Sequence, residues 1–230
     1  MRVLRGRPNS IDGDRAVSAA MLEAAARGAH LVRVWTPHRQ VAFGRRDRAS
    51  EGYERARSIA TEAGFPPSER DVGGRAVPYD GEAILAFGLA EPVADGRTCI
   101  CQRYDRVTER VRSALASLGA DLAAGEPDHS VCPGSHSLSG RGKVVGVAQR
   151  IAGDAAIAGG MVFVRRPAPV LDVLEGVYDA LGVPFERESV GSVAGAGGPG
   201  DPDLVRAALE TGLTDGRETT VEPVEALIGG

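Results

Sequence analysis

Lys143-Val-Val-Gly-Val-Ala-Gln-Arg-Ile-Ala-Gly-Asp-Ala-Ala-Ile-Ala-Gly-Gly-Met-Val-Phe-Val164 reads as two apolar runs joined by a turn. Lys143 to Ile151 and Ala155 to Val164 are strand-like, and the Gly153-Asp154 pair between them is a hairpin signal. An antiparallel strand pair is expected here. A second pair lies upstream, where Leu31 to Trp35 is followed by a turn at Pro37 and by Gln40 to Phe43, which ends at Gly44. Gly73-Gly74 marks a tight turn, and Ala83 to Ala90 after it reads as a buried strand.

Helices intervene at irregular intervals. Ser10 to Arg27 carries Val17, Ala20, Met21, Ala24 and Ala25 at helical spacing, with Asp12 or Asp14 as the cap. Gly52 to Ala63 is helical and stops at Gly64-Phe-Pro-Pro. Tyr104 to Leu118 is the clearest amphipathic helix, with Val107, Val111, Ala114, Leu115 and Leu118 on one face. Pro167 to Leu181 and Pro202 to Gly212 are further helices, Ser189 to Gly200 is a loop, and the tail after Thr214 is polar with a weak apolar end. Paired strands with irregular helices predict an α/β (α+β) fold, with a mixed, mostly antiparallel sheet flanked by helices.

The 230 residues suit one large domain, and 43% hydrophobic content suffices for a full core. A net charge of −4 argues against a nucleic-acid partner, which usually meets a strongly basic face. No apolar run is long enough to span a membrane, so a soluble, cytoplasmic protein with no membrane partner is expected. Three cysteines, Cys99, Cys101 and Cys132, do not form a disulfide framework, and no zinc-ligand spacing is present, so no metal site is expected. Among 27 basic residues Lys143 is the single lysine. It stands 11 residues after Cys132, across a Gly- and Ser-rich segment that includes His136. A thiol can carry an acyl group as a thioester, and an ammonium can polarise an acyl carbonyl. The same residues also read as a small buried hydrophobe and an ordinary lysine on a glycine-rich hairpin.

Three segments in order resemble the lipoate–protein ligase family. They are Trp35 through Phe43-Gly44-Arg45, Arg70-Asp-Val-Gly73-Gly74-Arg75-Ala76-Val77 with Tyr79-Asp80, and Lys143-Val-Val-Gly146-Val-Ala148-Gln149-Arg150. The resemblance covers roughly residues 10 to 165, within a single catalytic domain over 1–230 whose residues from about 166 form a C-terminal extension, with no full accessory domain. The family includes biotin–protein ligases and octanoyl- and lipoyl-transferases on one α/β catalytic fold. Cys132-Pro-Gly134 is similar to the cysteine-containing, amidotransferase-like branch. Tyr79 stands where the ligase pattern has His, and it cannot titrate near pH 7 as His does.

The resemblance implies transfer of an octanoyl or lipoyl group onto a lysine of a lipoyl carrier domain, such as the glycine cleavage H protein or a 2-oxoacid dehydrogenase acyltransferase subunit. The acyl group would come from an acyl carrier donor or from free lipoate. Cys132 would be the nucleophile, with Lys143 or His136 as the cation beside it, and Lys143 would bond the acyl carbonyl or an adenylate. Gly73 and Gly74 allow close approach to the acyl chain, Arg70 and Arg75 bind an anion, and Ala76, Tyr79 and Asp80 complete that motif. Gly146, Ala148, Gly159 and Gly160 line the acyl slot, and Gln149 bonds to substrate or backbone. A transferase needs no cofactor. The alternative, a lipoate–protein ligase acting through lipoyl-AMP, needs ATP and Mg, and a non-catalytic acyl- or lipoyl-domain-binding relative needs neither.

Overall fold

The computed structural model describes residues 1–70, 74–93 and 100–228. Strand β1 (Arg2–Arg5) leads into helix α1 (Ile11–Ala26), then β2 (Leu31–Trp35) and β3 (Gln40–Phe43). The short α2 (Arg45–Arg48) and α3 (Tyr53–Glu62) precede β4 (Pro67–Glu69), β5 (Val77–Tyr79) and β6 (Ile84–Pro92). After α4 (Ile100–Ala116) come β7 (Ala123–Ala124), β8 (Ser137–Gly140), β9 (Gly142–Ala152) and β10 (Ala155–Phe163). The chain continues through α5 (Ala168–Ala180), α6 (Pro202–Thr214), β11 (Thr220–Pro223) and α7 (Glu225–Ile228).

The large sheet has the order β11-β1-β2-β6-β10-β9-β8-β7, and a small sheet has the order β4-β3-β5. The expected hairpin is its centre: β9 and β10 pair antiparallel from Ala155 opposite Ala152 to Val162 opposite Val145. Among the described strand pairs only β1–β11, β1–β2 and β3–β4 are parallel, so the fold is of the expected mixed, mostly antiparallel α/β class; β2 and β3, expected as a second pair, instead lie in different sheets.

Alternation along β2 and β6 divides the core. Val32, Val34, Leu85, Phe87 and Leu89 face Val107, Val111 and Leu115 of α4 and Val205 and Leu209 of α6. On the other face Leu31 and Ala90 meet Val17, Met21 and Ala25 of α1. The small sheet packs Val41, Phe43 and Val77 against Ala56 and Ala60 of α3 and Val170, Leu174 and Val177 of α5.

Helix α1 is capped by Ser10, whose side chain accepts from the Gly13 N–H at 3.0 Å, and not by Asp12 or Asp14. Asp14 is drawn away because Arg33 projects from the α1 face of β2 with no access to solvent, and their ion pair closes at 2.6 Å. Helix α4 starts at Ile100, ahead of its apolar stripe, and α6 runs on to Thr214. The polar tail also folds: β11 extends the large sheet by parallel pairing with β1, and Val224 is buried beside Leu4.

Candidate functional site

Cys132 lies in the connection between β7 and β8, directly after the buried Val131. Its φ of 46° is left-handed, a conformation that a side chain with Cβ holds only when its surroundings impose it. Both sides of the residue are tied. Its N–H donates to the Tyr178 hydroxyl at 2.6 Å, and that hydroxyl donates to the Ala76 carbonyl at 3.0 Å. Its carbonyl accepts from Lys143 Nζ at 2.7 Å. Burial holds the Tyr178 phenol well above its ordinary range, so it acts as a neutral donor and acceptor.

Two N–H donors converge on the sulfur. Arg70 Nη2 is 3.3 Å from Cys132 Sγ, and the backbone N of Arg75 is 3.4 Å from it. Arg70 extends from the end of β4, where its N–H donates to the Phe43 carbonyl at 2.9 Å, and its guanidinium also donates to the Arg75 carbonyl. Burial works against the Arg70 charge, and the neighbouring Cys132 and Tyr79 outweigh it, moving Arg70 above its ordinary range. Gly74 makes this approach possible. Its φ is +94°, and a Cβ there would stand 2.6 Å from Sγ.

Lys143 is 1% exposed on β9. Its Nζ meets both carboxylate oxygens of Glu126, at 3.0 and 3.1 Å. The Ser130 and Ser137 hydroxyls donate to the same carboxylate. The expectation that Lys143 or His136 supplies the cation at the thiol is corrected. Arg70 occupies that place, Lys143 points to the Cys132 carbonyl and Glu126, and His136 stacks on Tyr104 with ring centroids 3.8 Å apart. The physical reason is the backbone path: the left-handed turn at Cys132 aims Sγ toward β4 and its carbonyl toward β9.

Cys132 and Lys143 both line a cleft of about 590 Å³. Its walls are Ala19 and Leu22 of α1, Ile157 and Met161 of β10, and Ala42, Val77 and Tyr79 of the small sheet. Arg70, Gly146, Ala148, Gln149, Gly159 and Gly160 also border it. Gly146 leaves room for the lysine, since a Cβ there would lie 3.1 Å from Lys143 Cε. The absent Cβ of Gly160 is required by the sheet itself, because it would fall 2.0 Å from the Gly146 carbonyl oxygen.

Tyr79 and Gln149 border the cleft, whereas the Arg75 side chain, Ala76 and Asp80 are held by contacts away from the sulfur or by the backbone. Burial pushes the Tyr79 phenol above its ordinary range. Gln149 links β9 to α4, accepting from Arg103 Nη1 at 2.8 Å and donating to the Ile100 carbonyl at 3.0 Å. Arg75 meets the buried Asp47 at 3.4 Å, and Ala76 is buried behind Tyr178. Asp80 Oδ1 accepts from the N–H groups of Glu82, Ala83 and Ile84 and so closes the turn into β6. Gly73 and Cys99 lie outside the described residues, and Cys101 is a free, exposed thiol. Sequence reading missed Glu126 and Tyr178. Glu126 sits in a Gly-Glu-Pro loop six residues before Cys132 with no pattern around it, and Tyr178 is hidden within the apolar face of α5. Among the described residues no helix is long and apolar enough to cross a membrane.

The octanoyl-[GcvH]:protein N-octanoyltransferase of Geobacillus kaustophilus (strain HTA426) is 34% identical over 121 residues, 52% of this chain and 42% of that protein. The lipoyl-[GcvH]:protein N-lipoyltransferase of Listeria monocytogenes serovar 1/2a (strain ATCC BAA-679 / EGD-e) is 26% identical over 137 residues, 59% of this chain and 47% of that protein. The matches thus span under half the length of these two curated relatives. In fold, the chain is similar to lipoate-protein ligase A bound with ATP, with a TM-score of 0.71 and 23% identity over 99% of this chain and 92% of that one. It is also similar to the bi-partite lipoate protein ligase of Thermoplasma acidophilum, with a TM-score of 0.68 and 21% identity over 99% and 89%. Residues 15–189, well over half of the chain, match the lipoyl protein ligase A/B catalytic domain, and the chain belongs to that family.

Proposed function

We propose that this chain transfers an octanoyl or lipoyl group onto a lysine of a lipoyl carrier domain through a thioester on Cys132. The observation that carries the reading is the sulfur itself. It faces an apolar cleft of a size that suits a small ligand, with the Arg70 guanidinium and the Arg75 N–H directed at it. Burying the hydrocarbon tail of an octanoyl group at about 0.8 kcal/mol per methylene contributes roughly 5 kcal/mol, enough to hold the acyl chain while its carbonyl reaches the sulfur.

The named relatives support the H protein of glycine cleavage as the donor and a second carrier domain as the acceptor. In the first step Sγ attacks the donor's acyl-amide carbonyl. The C–S bond forms, the C–N bond breaks, and the thiol proton leaves with the donor lysine amine. In the second step the acceptor lysine amine attacks the thioester. Its C–N bond forms, the C–S bond breaks, and the sulfur regains a proton. Neither step consumes ATP. Arg70 and the Arg75 N–H hold the sulfur while its charge changes. A working thiol fits a reducing, cytoplasmic compartment.

The test is intact-protein mass spectrometry after incubation with octanoylated H protein in the absence of ATP. A hydroxylamine-sensitive octanoyl adduct that maps to Cys132 is expected. Cys132→Ser should lose the adduct and all transfer while keeping its thermal midpoint. Full turnover by Cys132→Ser with lipoate, ATP and Mg would instead assign the ATP-dependent ligase reaction.

A further inference from the structure

Lys143 Nζ has three N–H bonds to give, and their acceptors are Glu126 and the carbonyl of Cys132. Each Glu126 oxygen also receives a serine hydroxyl, Ser130 on Oε1 and Ser137 on Oε2, so the carboxylate is held from both sides. The lysine is buried, while the Glu126 side chain keeps 22% of its surface in solvent. A buried ammonium is aimed by the groups that accept from it, and the carboxylate is the stronger of the two. With Nζ fixed by Glu126, its remaining contact falls on the nucleophile's own peptide, at 2.7 Å. That contact opposes the Tyr178 hydroxyl on the Cys132 N–H, and between them the residue is kept at its φ of 46°.

We propose that Glu126 is a positioning residue: its carboxylate, acting through Lys143, holds the Cys132 peptide in the left-handed conformation that aims the sulfur at Arg70 and the cleft. Glu126 touches neither the sulfur nor the apolar cleft walls. It reaches the Cys132 carbonyl through the Lys143 ammonium, and the Ser130 and Ser137 hydroxyls hold the carboxylate in place. The inference deepens the thioester reading and rests on it only for the acyl-transfer readout, because the aim of the sulfur is measurable without any acyl donor.

The experiment compares the full chain with Glu126→Gln, Lys143→Met and the double variant, and with Ser137→Ala, which leaves the ion pair in place. The first readout is the rate of Cys132 alkylation by iodoacetamide at fixed pH, mapped by peptide mass spectrometry, with the exposed Cys101 as internal reference. Each single variant should slow Cys132 alkylation by about fivefold or more, and the double variant should be no slower than the singles, as coupled residues require. Ser137→Ala should slow it less and in the same direction. This keeps the test decisive if Glu126→Gln folds poorly in a thermal melt. Unchanged or faster Cys132 alkylation in Glu126→Gln, or in Ser137→Ala where only that variant folds, overturns the proposal. So do losses that multiply in the double variant. The second readout is octanoyl adduct formation, expected to fall in parallel. A wild-type chain that takes no octanoyl group but shows the coupled alkylation would remove the thioester reading and leave the role of Glu126 standing.

Discussion

Cys132 shows how one residue is made unusual by five neighbours. Tyr178 holds its N–H, Lys143 its carbonyl, and Arg70 and the Arg75 N–H its sulfur, while Gly74 withholds a Cβ from the space the sulfur fills. Tyr178→Phe tests the first of these. The ring keeps its place against Phe185, at 5.2 Å between centroids, but the Cys132 N–H and the Ala76 carbonyl lose their partner. A buried group left without a hydrogen bond costs about 1–3 kcal/mol, so denaturant unfolding should show a loss of that size. Acylation of Cys132 should slow by about tenfold, the equivalent of 1.4 kcal/mol, once the turn relaxes. Because burial raises the folded-state pKa of Tyr178, the hydroxyl's contribution is present below the ordinary phenol range and is lost as pH rises through the raised value. Of these contacts the sequence displayed only the Cys, the Lys and the Arg-Gly-Gly motif. The serine-held carboxylate and the phenol carry no local pattern, since most of their partners lie 11 to 102 residues away.

At the level of elements, periodicity did most of the work. Strands Leu31–Trp35 and Gln40–Phe43 and the central hairpin follow directly from apolar runs bounded by turn residues. Strands β1, β7 and β11 carry no apolar run bounded by turn residues, and β11 is mostly exposed. Its place is set by a partner at the opposite end of the chain. Arg2 Nη2 meets Glu222 Oε2 at 2.7 Å, and Arg2 Nε lies 3.1 Å from each carboxylate oxygen. The hydrogen bond from Arg2 moves Glu222 below its ordinary range. A depressed carboxylate contributes stability above its unfolded pKa of about 4.3 and loses it as pH falls through the folded value. Amide protection factors across Thr220–Glu222 should therefore drop selectively in that acid window. In Glu222→Gln they should be lower at neutral pH and vary less across it; equal pH dependence in both proteins would dismiss the pair as a seam contact.

For the whole molecule, the large sheet divides the labour of stability and chemistry. The β1–β11 edge lies on one side, and β9, which carries Lys143, lies on the other with β2, β6 and β10 between. Ending the chain after Asp215 should leave β1 as a bare edge, paired only with β2, and expose Leu4 by removing Val224, with a loss of at least about 1.5–3 kcal/mol from that side chain alone. Thermal melts should shift down and size-exclusion profiles should broaden as a bare strand edge promotes association. Acylation per folded molecule should hold near the full-length rate; its disappearance would mean that the tail supports the cleft directly. The amino-acid sequence by itself determined the fold class, the central hairpin, the helices that cover it and the ordered Arg-Gly-Gly and Cys-to-Lys motifs, because hydrophobic period and turn chemistry act over a few residues. Only the tertiary structure decided which cation meets the thiol, that Lys143 faces Glu126 and the Cys132 carbonyl, and that the tail completes the sheet. Those outcomes depend on the direction of a left-handed peptide and on burial that forces charges to find partners far along the chain.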